Sequence, residues 1–110
     1  MKVIKIRLEY GCFPVWIYGK NNELIDNNLP PFLVDDDIEP LFVRIQETFD
    51  SLYLNDEKEF KYIGFKNQEK RNNFSEELSA AMNMLKNKLN NEYIIEENLD
   101  SIKDKILKRL

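Results

Sequence analysis

Hydrophobic and polar positions alternate from the second residue onward. Ile4, Ile6, Leu8 and Tyr10 fall on one face, and Lys5, Arg7 and Glu9 on the other. A period of two with β-branched residues predicts a half-buried antiparallel strand over residues 2–10. Gly11-Cys12-Phe13-Pro14 reads as a turn or bulge, and Val15-Trp16-Ile17-Tyr18 as a second strand. Gly19-Lys20-Asn21-Asn22 is a hairpin loop rich in residues that tolerate positive φ, and Glu23-Leu24-Ile25-Asp26 is a short third strand. Asn27-Asn28-Leu29-Pro30-Pro31 is a connector, because neither proline can donate to a strand ladder.

The period then becomes helical. Leu41, Phe42, Ile45, Phe49, Leu52 and Tyr53 predict a helix that opens at Asp35-Asp36-Asp37-Ile38-Glu39-Pro40 and runs to about residue 54. An aspartate there caps free backbone N–H groups, the other carboxylates favour the positive end of the dipole, and Pro40 is tolerated in the first turn. Phe60-Lys61-Tyr62-Ile63-Gly64-Phe65 alternates again and predicts a strand. Asn67 caps a second helix in which Phe74, Leu78, Met82, Leu85 and Leu89 recur. With no Gly or Pro over 67–91, this is either one helix of about six turns or two, broken at Asn72-Asn73 with Ser75 as a new cap. Tyr93-Ile94-Ile95-Glu96 predicts another strand. Ile102, Ile106, Leu107 and Leu110 predict a short amphipathic helix with a basic end, Lys103, Lys105, Lys108 and Arg109.

The resulting order, β-β-β-α-β-α-β-α, predicts an α+β fold: a mainly antiparallel sheet with helices packed on one face. A chain of 110 residues is long enough for one core, so a single domain over 1–110 is expected.

Composition removes several classes of function. The chain has no histidine, the commonest general base near neutral pH and the commonest transition-metal ligand. The single cysteine, Cys12, cannot close an internal disulfide, and in a turn it packs as a small apolar residue. Gly11, Gly19 and Gly64 are too far apart for a phosphate-cradling loop. No apolar run approaches the ~20 residues of a membrane span, and the alternating N-terminal segment does not read as a signal peptide. A cytoplasmic protein with no membrane partner, no cofactor and no catalytic residue is therefore expected. Asp35, Asp36 and Asp37, joined by Glu39 or Asp26, are the candidates for holding Mg²⁺ or Ca²⁺. Consecutive aspartates point in different directions, however, and capping accounts for them, so no metal is expected. Lys66, Lys70 and Arg71, with Phe65 and Phe74, form a basic cluster of ordinary helix-start composition; nucleic acid is not the expected partner.

The net charge of −4 is unevenly spread. Residues 35–59 hold nine acidic side chains and two basic ones, Arg44 and Lys58, whereas residues 66–110 hold eight acidic and nine basic. A concentrated negative segment repels nucleic acid and draws in cationic surfaces. Asp35, Asp36, Asp37, Glu39, Glu47, Asp50, Asp56 and Glu57 are thereby the candidate partner-binding residues. Trp16 and the five tyrosines either fill the core or, where exposed, anchor an interface.

The run Pro14-Val15-Trp16-Ile17-Tyr18-Gly19-Lys20-Asn21-Asn22-Glu23-Leu24-Ile25-Asp26-Asn27, the helix leading into Asp50-Ser51-Leu52-Tyr53-Leu54, and Phe60-Lys61-Tyr62-Ile63-Gly64-Phe65 carry a resemblance. Over about residues 10–90 the chain resembles a group of short proteins of low-GC Gram-positive bacteria, which look like small bacterial immunity proteins of polymorphic or contact-dependent toxin systems. The resemblance implies a small, catalytically inert cytoplasmic protein that binds and neutralises a cognate toxin, or another basic protein. It carries over no site residue. The alternative reading is a regulatory or phage-encoded adaptor that binds a host protein, alone or as a homodimer.

Overall fold

The computed structural model describes residues 1–96, Asn98 and Ile102. Within them a four-stranded sheet has β1 (Lys2–Ile6) at its centre, flanked by β2 (Val15–Tyr18), beyond which lies β3 (Leu24–Asp26), and on the other side by β6 (Tyr93–Glu96). β1 and β2 pair antiparallel, Ile4 opposite Ile17 and Ile6 opposite Val15, while β6 joins β1 in parallel, Ile95 opposite Ile4. A separate antiparallel pair is formed by β4 (Tyr53–Asn55) and β5 (Phe60–Tyr62). Two helices, α1 (Glu39–Asp50) and α2 (Gln68–Lys88), complete an α+β fold.

The alternation seen in the sequence decides what the sheet buries. Ile4, Ile6, Val15 and Ile17 point to one side and are at most 2% exposed. Phe42, Ile45 and Phe49 of α1 and Phe74, Leu78, Ala81, Met82 and Leu85 of α2 join them in one cluster. Each helix therefore turns its apolar stripe to this core, and burial of these side chains is the main favourable term in its folding.

Several element boundaries differ from the sequence expectation. β1 ends at Ile6, and the chain turns through 8–13 with the Arg7 N–H donating to Pro14 O at 3.0 Å. The helix opens at Glu39, not Asp35: its N-cap is Ile38, with no side-chain cap. Asp35 has φ +72° and Asp36 Oδ1 accepts the Ile38 N–H at 3.0 Å, so the aspartates form a turn ahead of the helix. Pro40 still stands in the first turn, where a missing N–H costs nothing. At its other end α1 stops at Asp50, although Leu52 and Tyr53 keep helical spacing. Leu52 O instead accepts the N–H groups of Ile63 (2.7 Å) and Gly64 (3.1 Å), bonds from beyond the hairpin that replace continued helix. Gly64 takes φ +75°, where a side chain would be strained.

α2 is continuous through Asn72-Asn73, which settles the one-helix alternative, and Asn67 Oδ1 caps it by accepting the Lys70 N–H at 2.9 Å. The C-terminal helix expected from Ile102, Ile106, Leu107 and Leu110 lies outside the described residues apart from Ile102. That side chain is buried in the core, and its N–H donates to Asn98 O at 3.1 Å.

Candidate partner-binding surface

The eight acidic candidates lie along α1 and on the segments before and after it. Twelve residues of helix span ~18 Å, so Asp35, Asp36, Asp37 and Glu39 stand at one end and Asp50 at the other. Asp56 and Glu57 sit at the tip of the β4–β5 hairpin beyond. Half of the candidates are engaged within the protein. Glu39 accepts the Asp35 N–H at 2.9 Å. Asp36 pairs with Lys88 at 3.0 Å, fastening the turn before α1 to the last turn of α2. The hydrogen bond from Lys88, then the one from the Ile38 N–H, holds its carboxyl below the usual aspartate range. Asp50 accepts the Gly11 N–H at 2.9 Å, and Asp56 accepts those of Lys58 and Glu59 at 2.8 and 2.9 Å.

Backbone donors leave the carboxylate charge in place, so Asp50 and Asp56 still contribute to the local field. Of the eight, Asp36 alone meets a cation among the described residues. Asp37, Glu47 and Glu57 are exposed, and among the described residues their side chains have no ion-pair or hydrogen-bond partner. Glu47 shares a shallow groove on α1 with Glu39, Pro40, Val43 and Arg44. Nowhere among the described residues do three carboxylates converge to hold a metal ion.

An aromatic cluster beside these acids was not legible in the sequence. Phe49, buried in the core, meets Tyr53 edge-on at 5.5 Å between ring centroids, and Tyr53 stacks on Phe60 at 5.2 Å with planes 6° apart. Tyr10 closes on both, at 5.3 Å from Tyr53 and 4.9 Å from Phe60. The Asn55 side-chain amide donates to Tyr10 Oη at 3.1 Å. Phe60 is 54% exposed and Tyr10 39%. The signal lay in Tyr53: on β4 rather than on the helix, it stands opposite Tyr62 and on the same hairpin face as Phe60.

Trp16 has a different role. On the outer sheet face its ring lies 5.4 Å from the Arg7 guanidinium, and its indole N–H donates to Arg7 O at 3.2 Å. Arg7 donates to Tyr18 Oη at 2.9 Å while Lys5 Nζ sits 4.6 Å above the Tyr18 ring. The bond to Tyr18 comes first among the influences that raise the Arg7 pKa, ahead of the opposing desolvation. These cations cover the outer aromatics, which leaves Tyr18 only 8% exposed. Elsewhere, Lys66 and Lys70 flank an open groove of about 480 Å³ that Ser51, Ile63, Asn73 and Glu77 also line. No helix among the described residues is long and apolar enough to cross a membrane.

The Serratia CdiI immunity protein-like family matches residues 2–96, from the start of β1 to the end of β6. The chain belongs to this family. The match supports the class reached from the sequence, immunity proteins of contact-dependent toxin systems. Membership in an immunity-protein family points to neutralisation of a toxin by protein–protein contact. No curated protein and no solved structure matches the chain.

Proposed function

We propose that this protein is a cytoplasmic immunity protein of one domain, without catalytic activity, and that it binds and neutralises a cognate toxin through the acidic surface of α1 and the hairpin beyond it. The partner is a protein with a basic face; nucleic acid and membrane have no part in the complex. The observation that carries the reading is the family match over 2–96, on a chain whose Asp37, Glu47 and Glu57 stand exposed without internal partners among the described residues.

Carboxylates spread over α1 and the hairpin tip steer a cationic partner into encounter and penalise acidic competitors. Inhibition then needs only occupation of the toxin's working face. Asp36 contributes less than its position suggests, because Lys88 already neutralises it. Asp50 and Asp56 have a second duty in holding the turn at Gly11 and the hairpin tip.

The test is co-production with the toxin domain encoded beside this gene. Wild-type protein restores growth and co-purifies with the toxin domain. The triple variant Asp37→Lys, Glu47→Lys, Glu57→Lys folds but binds at least tenfold more weakly. Failure of the wild-type chain to bind refutes the function; undiminished binding by the folded triple variant refutes the surface.

A further inference from the structure

Resting on the reading of this chain as a toxin-neutralising protein, we infer that the aromatic patch of exposed Tyr10 and Phe60 on half-buried Tyr53 is the anchor of the interface. It seats in an apolar socket on the toxin, surrounded there by lysines and arginines.

Three features set this patch apart from the other exposed apolar side chains. The first is rigidity. Phe60 lies flat on Tyr53, Tyr53 abuts the buried Phe49, and Tyr10 is held edge-on to both Tyr53 and Phe60, with its hydroxyl accepting from Asn55. The rings are therefore fixed before any partner arrives and lose little freedom on binding. The second is register. In β4–β5, Asn55 faces Phe60 and Tyr53 faces Tyr62, so one side of the hairpin is aromatic, while Leu54 and Lys61 belong to the other side.

The third feature is the rim. Asp50, bonded to the Gly11 N–H next to Tyr10, borders the patch on one side. Asp56 and Glu57 at the hairpin tip border it on the other, with Lys58 between them and Glu59 in the chain and Glu59 itself paired to Lys61 at 3.6 Å. An apolar centre within a charged border is the anatomy of a binding hot spot, in which the border keeps water out of the centre. The negative sign of that border selects a basic partner, the one the acidic α1 also suits. By contrast, the aromatics of the outer sheet face are already covered by Lys5 and Arg7.

The experiment is an affinity titration of the purified toxin domain with wild-type protein, Phe60→Ala, and Ile94→Ala as an exposed apolar control on the sheet. Phe60→Ala is expected to raise Kd by a factor of about 30 or more, and Ile94→Ala by less than about threefold. If Phe60→Ala fails to fold, hydrogen exchange on wild-type protein replaces it, and the amides of residues 10–11 and 53–62 gain protection in the complex. A wild-type complex that tolerates Phe60→Ala, or that leaves those amides unprotected, overturns the anchor while the toxin-neutralising reading stands. No wild-type complex at all removes the reading itself. Sedimentation of the free protein shows a monomer; a dimer dissolved by Phe60→Ala gives the patch to a second copy of the chain and overturns the proposal.

Discussion

Asp36 Oδ1 lies 3.0 Å from Lys88 Nζ, joining the turn that launches α1 to the end of α2. The same oxygen accepts the Ile38 N–H, so one carboxylate shapes the turn and fastens the helix pair. Its lowered pKa sets the direction of the pH effect. A carboxyl more acidic in the folded than in the unfolded chain adds stability above the ordinary aspartate range and loses it as pH falls through the folded value. Asp36→Asn can still accept the Ile38 N–H, and so removes the charge alone. Thermal melts of the two proteins are expected to differ at pH 7, to converge as acid protonates Asp36, and to converge in high salt as the pair is screened. A gap that does not change with pH would contradict this role.

Asn27 gives a second stability prediction. Its side-chain amide donates to Phe13 O at 2.6 Å and to Val15 O at 2.9 Å, tying the connector after β3 to the start of β2. Asn27→Ala leaves both carbonyls short of a donor and is expected to cost about 1–3 kcal/mol in urea unfolding. Asn27→Asp, which replaces the donor with an acceptor, is expected to cost more. Equal stability of the three proteins would show that solvent satisfies those carbonyls as well.

The cap of α2 is a smaller effect. Asn67 Oδ1 accepts from the Lys70 N–H in the first turn. Asn67→Ala is expected to lower unfolding free energy by about 1 kcal/mol and Asn67→Ser by less, since serine also caps. Chemical denaturation of the three proteins checks the order.

The core sets the upper end of the scale. Leu78, with no exposed surface, sits where α2 meets the cluster that holds Ile4, Ile17 and Phe42. Leu78→Ala is expected to cost about 2–5 kcal/mol, through lost burial and the cavity left behind. Met84, exposed on the same helix, is expected to tolerate alanine within about 0.5 kcal/mol.

Much of this fold could be read from periodicity, and the exceptions share a cause. Ile4 and Ile6 alternate and Phe74, Leu78, Met82 and Leu85 step by three or four, because each pattern meets the core with one face. Leu52 and Tyr53 also keep helical spacing, yet the helix ends before them, because Leu52 O is held by Ile63 and Gly64 from across the hairpin. The parallel seat of β6 beside β1 likewise depends on contacts between chain ends, which local pattern does not encode. The site divides in the same way. The crowding of carboxylates over 35–59 was plain in the sequence, but the commitment of Asp36 to Lys88 and of Asp50 to Gly11 was not. Nor was the meeting of Tyr10 with Phe60, residues that only the turn after β1 and the hairpin bring together.

In the proposed complex, negative charge along α1 and the hairpin tip guides a basic toxin into place. The most direct test of this guidance is stopped-flow association with the purified toxin domain over a range of salt concentrations, for wild-type protein and for the Asp37→Lys, Glu47→Lys, Glu57→Lys variant. The wild-type association rate constant is expected to fall steeply as salt rises, and the variant rate to be at least tenfold lower at low salt and nearly flat. Association that is equally fast for both proteins and indifferent to salt would contradict guidance by charge.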